Sequence, residues 1–260
     1  YGSTVFMDQP SSADPDGYWR PALICLDLKH RRRCKMNVDR TKLNVYYLWR
    51  AIYPMPLYQV IQGLVLYIGL FPDDPLLRLG VSGILSILVF GWIYREDVKE
   101  RCGHEQGQKK EAPRFGAGAW MLVMLGGICV ALVGNKLISL SGLAEWSDSY
   151  AQTSETLNSG TFVQKLICTG LIAPVAEELL IRGLVFTRLR DLMKPWTAIL
   201  WSAIFFGIFH GNLVQGVYAA FCGLYLGWVM ERFATLKAPI MAHMAANMAI
   251  IVLTALSFQF

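Results

Sequence analysis

Long apolar segments alternate with short polar ones along most of the chain. After a polar stretch of about 48 residues, the apolar segments lie at about 51–71, 79–94, 115–140, 162–187, 196–211, 213–230 and 236–258. Each segment is close to the roughly 20 residues that a helix needs to cross a hydrocarbon layer about 30 Å thick. The pattern therefore predicts an all-α fold, a polytopic transmembrane helix bundle with about seven spans.

The charges of the connecting segments predict the orientation of these spans, because Lys and Arg in short loops stay on the cytoplasmic side. Residues 1–48 are basic, and the loop at 95–114 carries six Lys or Arg residues. The loops at Asp73 and at 141–160 are acidic, and bases return after the fourth and sixth spans. This alternation predicts a cytoplasmic N-terminus. It also divides the chain into a polar, basic extramembrane arm at 1–48, N-terminal transmembrane helices at 49–160 and a helical core at 161–260.

The composition supports a membrane protein and argues against other classes. Hydrophobic residues make up 54% of the chain and charged residues 17%, against roughly 25% charged residues in soluble domains. The net charge of +5 comes from bases between apolar segments, so it indicates membrane orientation and not nucleic-acid binding. The six cysteines have no spacing typical of a disulfide framework or a zinc module. We expect an integral, multi-pass protein of a bacterial inner membrane or of an organellar or endoplasmic reticulum membrane, in contact with membrane lipids.

The fourth span contains three charged residues, Glu177, Glu178 and Arg182. Each charge at the centre of a membrane helix costs about 2.5–3.5 kcal/mol on insertion scales, so such residues are rare and are usually paired or functional. Glu178 and Arg182 are four residues apart and share one helical face, which predicts an internal ion pair. Glu177 points about 100° away and is therefore predicted to face a water-filled site. Pro174 has no N–H, so the carbonyl of Gly170 is predicted to lack its helical donor and the helix to kink there.

Two of the four histidines, His210 and His243, lie in or beside apolar spans. Asn247 follows His243 by one helical turn and shares its face. From the helix ends that the loop charges predict, Glu177, His210 and His243 lie about 15, 21 and 10 Å deep, at a rise of about 1.5 Å per residue. The three spans are therefore predicted to bring a carboxylate, two imidazoles and an amide into one layer of the membrane.

This set of side chains suits two mechanisms. Glu177 can act as a general base on a water held with His210, while His243 and Asn247 stabilise the oxyanion. Alternatively, Glu177, His210 and His243 bind Zn, as one carboxylate and two histidines that leave an open position for water. The residues alone do not separate these mechanisms. Lys165, in the same span as Glu177, is expected to snorkel towards the membrane surface or to cap a helix.

Three motifs follow one another on successive hydrophobic segments, namely Glu177-Glu178-x-x-x-Arg182, Phe206-x-x-x-His210 and His243-x-x-x-Asn247. They resemble the motifs of the CPBP intramembrane proteases, the CAAX protease and bacteriocin-processing (Abi) family, over about residues 160–255. This family includes the eukaryotic Ras-converting enzyme, which removes the last three residues of prenylated CAAX proteins. The resemblance implies that the helical core is catalytic, with Glu177 as the general base, assisted by His210, and with His243 and Asn247 as the oxyanion site.

The resemblance predicts an intramembrane endopeptidase that acts from the cytoplasmic side. Its substrate would be a prenylated CAAX protein or another hydrophobic or lipidated peptide. A rival hypothesis is a non-catalytic scaffold or assembly subunit of a larger membrane protein complex, because some plastid and bacterial members of the family act as assembly or regulatory factors. A third hypothesis, from the residues alone, is a transporter with a proton relay of acids and histidines. It is the weakest, because the two halves of the chain show no inverted repeat.

Overall fold

The computed structural model of the chain describes residues 45–102 and 115–256. Within these ranges the structure contains helices and no strand, so the predicted all-α fold is confirmed. In chain order the helices are α1 (Val45–Ile52), α2 (Pro54–Tyr67), α3 (Pro75–Cys102), α4 (Ala117–Ser141), α5 (Asp148–Asn158), α6 (residues 162–192), α7 (Pro195–Phe209), α8 (Leu213–Phe233) and α9 (Lys237–Ala255). The predicted arm at 1–48 lies outside the described residues except for its last four, with which α1 begins.

Four of the described helices, α3, α4, α8 and α9, are long and apolar enough to cross a membrane, and α7 is a shorter apolar helix. These five helices, together with α2 and α6, coincide with the seven apolar segments of the sequence. Many of their large apolar side chains point away from the protein interior, among them Leu88, Trp92, Leu122 and Leu140. Extended apolar surface of this kind is typical of contact with lipid. The number of spans and the cytoplasmic N-terminus stay predictions.

α3 continues past the end of its predicted span, to Cys102. Contacts with other helices hold this charged extension in place. Asp97 accepts hydrogen bonds from Arg188 of α6 at 2.7 and 3.0 Å. Glu100 pairs with Arg50 of α1, and this hydrogen bond raises the pKa of the Arg50 guanidinium above its ordinary value. The helix therefore continues beyond the apolar segment because its polar residues have partners there.

The predicted acidic loop at 141–160 contains a short helix, α5. The Ser147 hydroxyl accepts a hydrogen bond from the Tyr150 N–H at 3.3 Å and caps the first turn. Ser is among the residues preferred at this capping position. The apolar pattern did not reveal α5, since a polar cap and not an apolar stripe marks its start.

α6 is a continuous helix that alternates between α and π geometry. It comprises Phe162–Lys165, π-helical Leu166–Ile172, Ala173–Glu178, π-helical Leu179–Phe186 and Thr187–Leu192. In the first π segment the Ala173 N–H donates to the carbonyl of Cys168, five residues earlier. By the same spacing, Pro174 leaves the carbonyl of Thr169 without a helical donor, and not that of Gly170 as predicted from α spacing.

Polar contacts mark two opposite ends of the bundle. At one end, Asp74 before α3 accepts a hydrogen bond from Gln164 of α6 at 2.6 Å. At the other end, the ion pair between Asp97 and Arg188 joins the same two helices, so α3 and α6 run parallel. We call the first the α5 end, which comprises residues 68–74, 142–161 and 210–212. The second is the arginine end, which comprises Arg50, Asp97 and Arg188.

α7 and α8 form a tight hairpin that positions His210. Their backbones touch at Gly207, where a Cβ atom would lie 2.6 Å from the carbonyl oxygen of Gly216. The turn between the helices uses Gly211, whose φ of +74° is accessible to glycine at little cost. His210 therefore follows the last residue of α7 directly and lies at the α5 end.

Candidate active site

The ion pair predicted in α6 is present and fully buried. Arg182 Nη1 donates to Glu178 Oε1 at 2.8 Å, and neither side chain is exposed. The guanidinium also donates through Nη2 to the carbonyl of Gly223 in α8 at 3.1 Å, and it lies 4.6 Å from the centre of the Phe206 ring in α7. The pair therefore neutralises two charges inside the bundle and connects α6 with α7 and α8.

His243 of α9 lies between both acids of the motif. Its Nδ1 is 3.0 Å from Glu178 Oε1, and its Nε2 is 3.8 Å from Glu177 Oε2. A carboxylate that is paired with Arg182 can only accept hydrogen bonds, so Nδ1 carries a proton and donates it to Glu178. In the neutral imidazole, Nε2 then presents its lone pair towards Glu177. The oxyanion role implied by the motif resemblance would require a second proton on His243, at Nε2, because a ring nitrogen must donate a hydrogen bond to the oxyanion.

Glu177 is the acid of the motif that has no hydrogen bond within the described ranges. Its side chain is 15% exposed and lines a cavity. The distance of 3.8 Å to His243 Nε2 is longer than a hydrogen bond. Tyr58 of α2 lies within electrostatic range of Glu177, and its ring packs against that of Phe209 at an angle of 54°, with ring centroids 4.5 Å apart. Sequence analysis missed Tyr58, because nothing in the pattern of α2 separates it from an ordinary packing aromatic.

His210 faces the same cavity as Glu177. Its Nδ1 is 2.8 Å from the carbonyl oxygen of Phe206, one turn earlier. Since a carbonyl can only accept, Nδ1 carries the proton and Nε2 the lone pair of the neutral ring. The rings of Phe206 and His210 meet edge to face, with centroids 4.9 Å apart. His210 forms no ion pair with Glu177 in the described part of the chain, although both residues line the cavity.

Asn247 connects α9 with the first π segment of α6. Its Nδ2 donates to the carbonyl oxygen of Thr169 at 2.9 Å. This is the carbonyl that Pro174 leaves without a helical donor. One of the two amide N–H groups of Asn247 is thereby used to complete the helix, and the second is available to a ligand.

The side chains that can act on a substrate line one cavity of about 1530 Å³. Glu177, His210, His243 and Asn247 line it, whereas Glu178 and Arg182 do not. From these residues the cavity extends to α5, where Tyr150 lines it. The structure thus brings the six predicted residues together and separates them into four that face the cavity and a buried pair behind them.

The side-chain placement offers no ready set of ligands for zinc. Among the described residues, no three His, Cys, Asp or Glu side chains are grouped so that they could hold a metal ion. His243 Nδ1 is occupied by Glu178, and His210 is not paired with Glu177. The zinc hypothesis stays a prediction, which metal analysis of the purified protein tests.

Comparison with known proteins agrees with the motif analysis. Residues 159–249, which include all six predicted site residues, match the family model described as type II CAAX prenyl endopeptidase Rce1-like. The chain is also 25% identical over 88 residues to "Putative membrane peptidase YdiL" of Bacillus subtilis (strain 168). That match covers 34% of this chain and 36% of the relative, so the chain spans about a third of that protein's length. No solved structure matches the chain significantly.

The family match and the apolar helices both indicate a membrane protein. Four described helices have the length and composition of membrane spans, and the motif-bearing helices lie in the matched region. The chain is therefore an integral membrane protein. The resemblance predicted from the three motifs is confirmed over residues 159–249, where the chain matches the Rce1-like model of type II CAAX prenyl endopeptidases.

Proposed function

We propose that the protein is an intramembrane endopeptidase that hydrolyses a peptide bond of a membrane-associated substrate, prenylated or otherwise hydrophobic. The observation that carries this proposal is the placement of Glu177. Its carboxylate faces the cavity, has no hydrogen bond within the described ranges, and lies beside the acceptor nitrogen of His243. An ionisable residue inside a membrane protein is costly and is typically retained for a function.

A water held between Glu177 and His243 would act as the nucleophile. An oxygen atom can lie about 2.8 Å from both Oε2 and Nε2, because these two atoms are 3.8 Å apart. Such a water donates one hydrogen bond to each acceptor and directs a lone pair into the cavity. When its oxygen attacks the carbonyl carbon of the substrate, its proton passes to Glu177, the general base. Glu178 holds His243 in the tautomer that this arrangement needs.

Two other cavity residues act in the later steps, one by stabilising the oxyanion and one by transferring a proton to the leaving amine. The second amide N–H of Asn247 is a donor for the oxyanion. His210 Nε2 can relay the proton from Glu177 to the leaving amine, whose bond to the carbonyl carbon then breaks. In this proposal His243, and not His210, shares the water with Glu177, since His243 is the imidazole adjacent to that carboxylate.

Glu177→Gln tests the proposal in protein purified in detergent micelles, with a panel of prenylated and non-prenylated hydrophobic peptides as substrates. We expect the wild type to cleave at least one peptide and Glu177→Gln to lower kcat by about 10²–10⁴-fold, as loss of a general base does. Glu155→Gln is the matched control, because Glu155 on α5 is exposed and does not line the cavity. Equal activity of Glu177→Gln and the wild type would contradict the assignment.

A non-catalytic scaffold is the second candidate, and the contacts of the motif residues with the protein itself favour it. Arg182 and Asn247 each donate to a backbone carbonyl of another helix, as residues that hold helices together would. A scaffold should copurify with a stoichiometric partner, and this complex should survive Glu177→Gln. No peptide of the panel would then be cleaved. The same purified preparations therefore distinguish the two functions.

A further inference from the structure

The cavity contains two cations towards its α5 end, Arg78 of α3 and Lys165 of α6. Both residues are half-buried. Within the ranges that the structure describes, neither side chain has an ion pair or a hydrogen bond. Lys165, for which the sequence predicted a snorkelling or helix-capping role, thus shares a cavity with Glu177.

Arg78 and Lys165 lie at the same depth in the bundle, because α3 and α6 run parallel and touch. A Cβ atom at Gly80 would lie 2.7 Å from Sγ of Cys168. Arg78 precedes Gly80 by two residues, and Lys165 precedes Cys168 by three. The two cations are therefore within about one helical turn of each other in depth.

The acids near these cations do not neutralise them. Asp74 accepts hydrogen bonds from the Leu77 N–H at 2.9 Å and from Gln164 Nε2 at 2.6 Å, and so caps α3 and links it to α6. Glu145 also lines the cavity but is exposed. Half-buried cations without a partner favour an anionic ligand, and Arg and Lys form their strongest hydrogen bonds with carboxylates and phosphates.

We propose that Arg78 and Lys165 bind a carboxylate of the peptide substrate, which makes this proposal dependent on the peptidase function. Lys165 precedes Glu177 by twelve residues, which is at most about 18 Å along α6 at 1.5 Å per residue. An extended peptide advances about 3.3 Å per residue. The carboxylate therefore lies at most about five residues from the peptide bond that faces Glu177. The subsite selects substrates by the charge and length of the substrate segment that runs from the scissile bond towards the α5 end.

Peptide binding to the Glu177→Gln protein tests the subsite without turnover. The probes are three dansyl-labelled decapeptides of apolar residues. One ends in a free carboxylate, one ends in an amide, and one is an amide with a single Glu near its C-terminus. We expect the free acid to bind at least about tenfold more tightly than the plain amide, as a charge-assisted hydrogen bond implies. If an acidic side chain supplies the carboxylate instead, the third peptide gains this affinity and the free acid does not.

Substitutions then connect the carboxylate preference with the two cations. Arg78→Met and Lys165→Met should each reduce the ratio of acid to amide affinity towards one, whereas Lys165→Arg, which keeps the positive charge, should retain the ratio. Lys136→Met is the matched control, because Lys136 on α4 is exposed and does not line the cavity. The proposal is overturned if all three peptides bind equally, if none binds, or if the preference survives in both Met variants.

This experiment distinguishes an error in the proposed subsite from an error in the proposed peptidase function. If the wild type binds the carboxylate peptides more tightly but cleaves none of the three, the subsite stands and the endopeptidase proposal fails. If it cleaves the peptides without any preference for a carboxylate, the endopeptidase proposal stands and the subsite fails.

Discussion

At the scale of single residues, Glu178 is the centre of the polar cluster. Its Oε1 accepts hydrogen bonds from Arg182 at 2.8 Å and from His243 at 3.0 Å. Because the cation of Arg182 balances the charge of Glu178, Glu177 is the acid of the Glu-Glu-x-x-x-Arg motif that has no ion pair on its own helix. Two adjacent glutamates are thereby given different environments, one inside an ion pair and one in a cavity.

We predict that Arg182→Met destabilises the protein by about 3–5 kcal/mol, because it leaves Glu178 buried without its cation. The double variant Glu178→Gln/Arg182→Met should recover part of this loss, since a neutral Gln can still accept the hydrogen bond from His243. Unfolding in mixed micelles of a mild detergent and dodecyl sulfate measures the free energies of all variants. A double variant no more stable than Arg182→Met would show that charge is not the cause.

At the scale of elements, the side-chain amide of Asn247 in α9 donates to the carbonyl of Thr169 in the first π segment of α6. Asn247→Leu should cost about 1–3 kcal/mol, because the Thr169 carbonyl loses its donor. Pro174→Ala supplies the missing backbone N–H, so Asn247→Leu should cost less in that background. A double-mutant cycle of unfolding free energies should give a coupling of at least about 0.5 kcal/mol between the two sites. Strictly additive effects would mean that Pro174 and Asn247 act independently.

The helices differ in how much of them could be predicted from the sequence. The ion pair of α6 could be predicted, because residues four apart in a helix are neighbours in any tertiary fold. The contacts of His243 with Glu177 and Glu178, and the approach of Tyr58 to Glu177, depend on how separate helices pack, which the pattern of one helix does not contain. The carbonyl that Pro174 leaves without a donor was predicted at Gly170 and lies at Thr169, because α-helical spacing was assumed where the helix has π spacing.

At the scale of the whole molecule, the cavity extends towards the α5 end and not towards the arginine end. Gly142 and Tyr150 line it, whereas Asp97 and Arg188 do not. The loops of the α5 end at 68–74, 142–161 and 210–212 carry acids but no Lys or Arg, so the loop-charge rule assigns this end to the outside. Substrate would then enter from the non-cytoplasmic side, which is opposite to the side expected from the motif resemblance.

We therefore predict that a cysteine at the α5 end can be labelled from outside the membrane. In a background whose six cysteines are replaced by Ala, Ser149→Cys on α5 should react with a membrane-impermeant maleimide in intact spheroplasts of a bacterial expression host. Lys99→Cys, near the arginine end, should react only in inverted vesicles. Ser149 and Lys99 are both exposed, so a difference in labelling reports the side of the membrane and not burial. The opposite pattern would reverse the predicted orientation and place the end of the cavity with Arg78 and Lys165 at the cytoplasm, where the motif resemblance expects the substrate.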